Sequence, residues 1–301
     1  MILLAGGTGR LGTLLARRLI ARNLPVRVLT REPARAEHLG NMVTVVRGDA
    51  RDRESLCAAA VGADVVVSMV HGFTDRHRDA LAAIDRDGNA NLMAAAKSVG
   101  AEFVLMSTVG AAADSRMELF RMKHAAEQHA AAGGLPTTIV RATAFFEPWI
   151  DVLHQTAARS GRPLVFGHGQ NPINFVSAVD VAALVEHAVI DHGTRGEILE
   201  IGGPDNLTFD TFAHATQSAA GRAGAPRHVP PAMLRLMANS IGRVKPELGR
   251  QARAALVMDQ ADLTFDTSPI RHRYADLPCT ELGDVLARND SRVDASMIAA
   301  S

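Results

Sequence analysis

Six short apolar runs punctuate the first half of the chain: residues 1–5 (MILLA), 26–30 (VRVLT), 43–47 (VTVVR), 64–69 (DVVVSM), 102–107 (EFVLMS) and 137–140 (TTIV). They are rich in Val, Ile and Leu with little polar alternation, the pattern of strands covered on both faces. Between them, residues 11–22, 52–61, 77–99 and 116–132 carry helical patterns. This alternation predicts an α/β fold built on a doubly wound parallel sheet, with the strand C-termini along one edge where ligands bind. After about residue 145 the pattern changes. Residues 145–161 read as a helix entered through Pro148, and 176–191 as an amphipathic helix with Asp180 as a cap near its start. Residues 197–201 read as a strand halted by Gly202, Gly203 and Pro204 and available to return to the first sheet. Residues 205–290 read as mostly helical, with a Pro/Gly-rich join at 221–231.

Chemistry enters at the first strand–helix junction. Gly6, Gly9 and Gly12 share the segment GGTGRLG, between the first strand and the first helix. In that context glycines permit a tight turn and close backbone approach to a pyrophosphate, and the helix N-terminus offers N–H groups to it. The candidate phosphate cradle is Gly6, Thr8, Gly9, Arg10, Leu11 and Gly12. The predicted organisation is a Rossmann-type NAD(P)-binding domain over 1–145, a smaller, mostly helical substrate lobe over 146–290, and a frayed polar tail over 291–301.

The end of the second strand discriminates between cofactors. An acid there binds the ribose 2′-OH of NAD. This chain has Thr30 and then Arg31, which favours the 2′-phosphate of NADP(H) over NAD(H). Glu32, one position on, offers the competing reading as a ribose ligand, and a solvated Arg31 is the plain alternative. After the third strand, Asp49 and Ala50 stand where an adenine edge would lie, with Asp49 equally suited to cap the next helix. After the fourth strand, Ser68, Met69 and Val70 lead the backbone past the ribose nearest the nicotinamide. His71 is the titratable side chain of that loop, a candidate proton donor beside its plainer reading as polar filler.

Composition narrows the partners. The chain has 32 basic and 32 acidic residues, so no basic surplus points to nucleic acid. No apolar run is long enough for a membrane span. Two distant cysteines, Cys57 and Cys279, give no disulfide framework and fit a reduced cytoplasm. The twelve histidines show no metal-binding spacing, and no metal is expected. Only three of the 32 basic residues are lysines: Lys97, Lys123 and Lys245.

The segments GGTGRLG, VRVLTREPARA, GDARDRESL, GADVVVS, LMSTVGA, K..AE at 123–127, TTIVRATAFFE, INFVSAVDVAALV and LEIGGPDNLTF together resemble the NmrA-like group of the short-chain dehydrogenase/reductase superfamily, over roughly residues 1–215. That group includes quinone-reductase-like and triphenylmethane-reductase-like members. The resemblance implies a Ser/Thr region at Ser107 and Thr108 and an active-site lysine at Lys123, gripping the nicotinamide ribose. It implies that Thr143 and Phe145, with Ala144 and Phe146, pass over the nicotinamide, although core packing explains the aromatics equally well. The superfamily's tyrosine, four residues before the lysine, is absent. Leu119 stands there, Phe120 follows, and the single tyrosine is Tyr274.

Two functions follow from the resemblance. One is an NADPH-dependent oxidoreductase passing hydride to a small apolar acceptor such as a quinone or dye, which demands no strong protein acid. The alternative is a non-catalytic NADP(H) sensor that acts on a regulatory protein. An epimerase or dehydratase is disfavoured because those reactions lean on the missing tyrosine.

Overall fold

The computed structural model of the chain describes residues 1–288. The proposed tail, 291–301, lies outside the described residues. The chain divides into two compact units, one of residues 1–142 and 181–201, the other of 143–180 and 202 onward.

The first unit is built on a seven-stranded parallel sheet. Its strands are β1 (Ile2–Ala5), β2 (Val26–Thr30), β3 (Val43–Arg47), β4 (Val65–Ser68), β5 (Glu102–Thr108), β6 (Thr137–Ala142) and β7 (Ile198–Ile201). Their order is β7-β6-β5-β4-β1-β2-β3, and every neighbouring pair is parallel. The last strand returns beside β6, with Ile198 opposite Ile139. The strand order reverses between β1 and β4, so the crevice outside their C-terminal ends is where this fold binds ligands. Helices α1 (Arg10–Ala21), α2 (Arg53–Ala60), α3 (Asp87–Ser98) and α4 (Glu118–Gly133) connect the strands. Leu3, Val66, Phe103 and Leu105 from the strands meet Leu56, Leu92 and Ala126 from the helices in one core.

Two readings from pattern need correction. β3 is an edge strand, not one covered on both faces, and Val45 on it is exposed. The helix Ala178–Ile190 is not amphipathic. Its residues 181–186 are all buried, as expected of a segment apolar all round. Its one buried acid there, Glu186, is neutralised by Arg18 and Arg22 at the end of α1.

Helix α1 begins where three glycines make room for it. Gly6 has φ +85°, a conformation that favours glycine, and a Cβ on it would sit 2.9 Å from the Met69 carbonyl. A Cβ on Gly12 would fall 2.3 Å from the Gly6 oxygen and 2.5 Å from the Gly7 Cα. The helix therefore packs its own first turn onto the β1 loop, backbone against backbone.

The second unit contains two small sheets that the hydrophobic pattern left unread. Strand Pro172–Val176 pairs antiparallel with Asn206–Thr208 and parallel with Ala144–Phe145, and Leu164–Phe166 pairs with Arg227–Val229. These strands are too short to leave a clear period. Phe146, Phe175, Phe209 and Phe212 pack edge-on and stacked as its aromatic core, with Trp149 against Phe209. Asp180 is fully buried and does not cap a helix. Its carboxylate accepts from the Thr280 hydroxyl and amide and from Arg271, pinning the C-terminal segment.

Gly12→Ala forces backbone atoms apart, since no flexible side chain is there to yield. The expected cost is about 1–3 kcal/mol of stability, the range for overpacking a tight contact, read as a lowered chemical-denaturation midpoint. An unchanged midpoint would show that α1 is free to slide.

Candidate active site

Parallel strands bring the residues selected from sequence to one edge. Gly6–Gly12 follow β1, Thr30 and Arg31 end β2, Asp49 and Ala50 follow β3, Ser68–His71 end β4, and Ser107 and Thr108 end β5.

At the β1 loop, Gly9 is the N-cap of α1, with φ −77°. No side chain caps that end and no acid lies in the first turn, so the N-terminal N–H groups and dipole face outward uncompensated by carboxylate. A Cβ on Gly9 would meet a single atom, the Gly6 oxygen at 3.3 Å. Thr8 and Leu11 are half-buried, and Arg10 is exposed.

At the β2 end, Thr30 is buried and its hydroxyl is closed on its own turn, donating to the Glu32 carbonyl at 3.1 Å and accepting from the Glu32 amide at 3.2 Å. Arg31 is exposed and lies 3.5 Å from the Asp75 carboxylate. Burial works against ionising Asp75, but the His77 amide and ring, with Arg31, hold its pKa down at about 2. Asp49 is bound bidentately by Arg51, which lowers its pKa. Asp49 does not cap α2; Asp52 does, accepting from the amides of Glu54 and Ser55. Ala50 is buried, and its carbonyl accepts from Asn91 at 3.2 Å.

The β4 loop carries the most unusual interaction. Lys123 is buried, its ammonium 3.0 Å from Asp85 and 3.1 Å from the Val70 carbonyl to which it donates. Asp85 is fully buried and also accepts from the Gly72 amide at 2.8 Å. Ser68 donates to Asn89 at 2.5 Å. The Met69 amide donates to the Ala5 carbonyl, tying this loop to β1. His71 is exposed at its own surface, yet the protein packed around the loop pulls its pKa below the ordinary value; Asp85 opposes this and Lys123 adds to it. The shift favours the neutral imidazole, which offers a hydrogen bond and not a charge.

The Ser107 hydroxyl is spent elsewhere. It donates to Glu127 at 2.5 Å, and Glu127 is clamped by Arg141, which also reaches Glu200. Hydrogen bonding to Glu127 pushes the Arg141 pKa up. This cluster, buried at Ser107 and Glu127 and reaching solvent at Glu200, ties α4 to β5, β6 and β7. Thr108 donates to the carbonyls of Val109 and Ala142. No hydroxyl replaces the tyrosine: Leu119 is half-buried, and Phe120 packs over Gly110, 3.1 Å from where its Cβ would be. Sequence reasoning selected Lys123 but missed Asp85 and Asn89, whose only trace is a polar pair four apart in DRDGN.

Thr143 and Phe145 belong to the second unit. Thr143 is buried and donates to Asn174 at 3.0 Å, and Phe145 is half-buried in the strand beside Val176. Phe146 is aromatic core. Among the described residues, no helix is long and apolar enough to cross a membrane, and no three His, Cys, Asp or Glu residues gather as metal ligands. Cys57 and Cys279 are both free.

The profile of the NmrA-like family matches residues 1–253. The chain belongs to the NmrA-like family. It is 30% identical to the NAD(P)H azoreductase of Xenophilus azovorans over 74% of each chain. The fold is shared with the NADPH-dependent quinone oxidoreductase of Escherichia coli complexed with NADPH, at a TM-score of 0.78 and 20% identity over 96% of this chain and 99% of that one. It is shared also with the Citrobacter triphenylmethane reductase complexed with NADP(H), at 0.76 and 18% identity with the same coverage.

One acid-base consequence follows from the β2 end. A carboxyl whose pKa is depressed on folding contributes stability above its unfolded pKa, near 4, and loses it as pH falls through the folded value of about 2. Asp75→Asn is expected to cost on the order of 2 kcal/mol at pH 6, with the difference from wild type closing between pH 4 and pH 2. Urea melts at pH 6, 4 and 2.5 measure it, and a gap constant across that range would contradict the assignment.

Proposed function

We propose that the chain is an NADPH-dependent oxidoreductase that transfers hydride to a small apolar acceptor such as a quinone or dye. The observation that carries this reading is Gly9. Its backbone is in a region open to any residue, and a Cβ there would meet one atom, the Gly6 oxygen at 3.3 Å, a snug contact far looser than the 2.3 Å one at Gly12, so the fold demands glycine at position 9 much less than at position 12. A bare backbone at an uncapped helix start is what a pyrophosphate needs.

In this reading Gly6, Thr8, Gly9, Arg10, Leu11 and Gly12 hold the two phosphates. Thr30 and Arg31 meet the 2′-phosphate, with Arg31 exchanging its Asp75 partner for it. Asp49 and Ala50 border the adenine. Ser68, Met69 and Val70 line the inner ribose, and Lys123 donates to that ribose. Bound NADPH supplies the hydride.

The chain's own groups then restrict the acceptor. Reducing a simple carbonyl leaves an alkoxide that wants a nearby acid. Here the tyrosine is missing, the Lys123 ammonium is held in an ion pair with Asp85, and the His71 pKa is pulled below its ordinary value. A cationic dye ends neutral, and a quinone yields a weakly basic phenolate that water protonates, so neither needs that acid. The NAD(P)H azoreductase among its relatives is named for azo compounds, which supports a dye as acceptor. The sensor reading shares the cofactor and differs in lacking turnover.

Fluorescence titration with both reduced cofactors tests the reading. Charge-assisted bonds from Arg31 are worth about 1.5–3 kcal/mol each, so NADPH should bind roughly tenfold to a hundredfold more tightly than NADH. Arg31→Ala should erase most of that preference and spare NADH. Wild type preferring NADH would instead give the ribose to Glu32.

Gly9→Ala separates fold from ligand. It should shift the thermal midpoint far less than Gly12→Ala while weakening both cofactors at least tenfold. Unchanged cofactor affinity in Gly9→Ala would remove the observation on which the proposal stands.

A further inference from the structure

The helical rod that ends in α3 does not begin as an α-helix. Residues Leu81–Arg86 form a π turn that runs directly into Asp87. Such wide turns are rare, pack less well than α-helix and recur at functional sites. This one turns Asp85 inward, where it has no exposure at all. A buried carboxylate costs free energy unless it is fully paired, and a buried ion pair is often no better for stability than apolar groups of the same size. The arrangement therefore calls for a reason other than stability.

Its partners supply one. Asp85 accepts from the Gly72 amide and pairs with the Lys123 ammonium, and Lys123 donates to the Val70 carbonyl. The Asp85 carbonyl accepts from the Asn89 side-chain amide at 2.7 Å, and Asn89 accepts from the Ser68 hydroxyl. Ser68, Val70 and Gly72 are thus held at alternate positions of one loop, and every tie leads back to Asp85. The loop is also pressed against the start of the π segment: a Cβ on Gly72 would lie 2.4 Å from the Ala80 oxygen.

We propose that Asp85 is a positioning residue for the nicotinamide half of the cofactor. It fixes the Ser68–Gly72 backbone beside the inner ribose and aims Lys123 at it. An ammonium has three N–H groups; one donates to the Val70 carbonyl, Asp85 lies 3.0 Å away as the counter-charge, and a remaining N–H is left for a ribose hydroxyl. The inference rests on the nicotinamide-cofactor reading above.

The test uses the full chain and two probes, NADPH and 2′,5′-ADP, which carries only the adenosine half. Asp85→Asn leaves the Lys123 ammonium buried without a counter-charge, so its thermal midpoint should fall. The double variant Asp85→Asn/Lys123→Met removes both charges and should regain most of that midpoint. Both variants should bind NADPH at least tenfold more weakly than wild type and bind 2′,5′-ADP within twofold of it. Ser68→Ala releases one tie without stranding a charge and should weaken NADPH about threefold while sparing 2′,5′-ADP.

If the double variant regains both midpoint and NADPH affinity, the pair is structural and the proposal is overturned. Equal losses for NADPH and 2′,5′-ADP in all three variants overturn it as well, because the damage is then general. Wild type that binds neither probe overturns the cofactor reading itself, and this inference with it.

Discussion

Gly12 lies so close beneath Gly6 and Gly7 that a single added carbon would sit 2.3 Å from a backbone oxygen. That contact sets where α1 starts. With the helix start locked to the end of β1, the N–H groups of its first turn face the crevice beside the point where the strand order reverses. The same lock explains the neighbouring loop. A Cβ on Gly6 would collide with the Met69 carbonyl, so the ends of β1 and β4 lie in direct backbone contact. In the proposed reading, the phosphate end and the ribose end of the dinucleotide site would thereby be registered to each other before any ligand arrives, which would lower the ordering cost of binding.

Two buried charge clusters then divide α4 between structure and chemistry. Glu127 uses Ser107, Arg141 and, through Arg141, Glu200 to tie the helix to three strands. One turn earlier, Lys123 and Asp85 bind the helix to a loop instead. The first cluster consumes the hydroxyl that the family resemblance offered as catalytic. The second leaves a donor over. With Leu119 where the superfamily has its tyrosine, the proposed dinucleotide site would carry little acid, and that combination would favour acceptors that take hydride without a protein proton.

Most of the first unit was legible in the sequence, because strands buried in a parallel sheet write continuous Val/Ile/Leu runs and the glycine turn has a fixed spacing. β3 misled for a related reason: an edge strand in a parallel sheet keeps the same apolar composition as its covered neighbours. In the second unit the strands run two to five residues, too short for a period, and they went unread. Lys123 stood out in a lysine-poor chain, but Asp85 did not. A π turn shifts the helical register by a residue, and no local residue type announces it, so an inward acid looks in sequence like any solvated one. Asp49 and Asp52 show the same limit at short range: both stand before α2, and only geometry decides which one caps it.

The central claim is hydride transfer, and isotope transfer tests it most directly. Wild-type protein is mixed with NADPH deuterated on the transferred face of C4, both hydrogen faces being prepared separately, and with a triarylmethane cation as acceptor. A carbon–hydrogen bond forms at the central carbon, so the label is not lost to water. The account predicts decolorised product one mass unit heavier with one of the two labelled cofactors, together with one NADPH oxidised per acceptor reduced. Tight NADPH binding with no oxidation by this cation or by a quinone would contradict it and leave a cofactor sensor in its place.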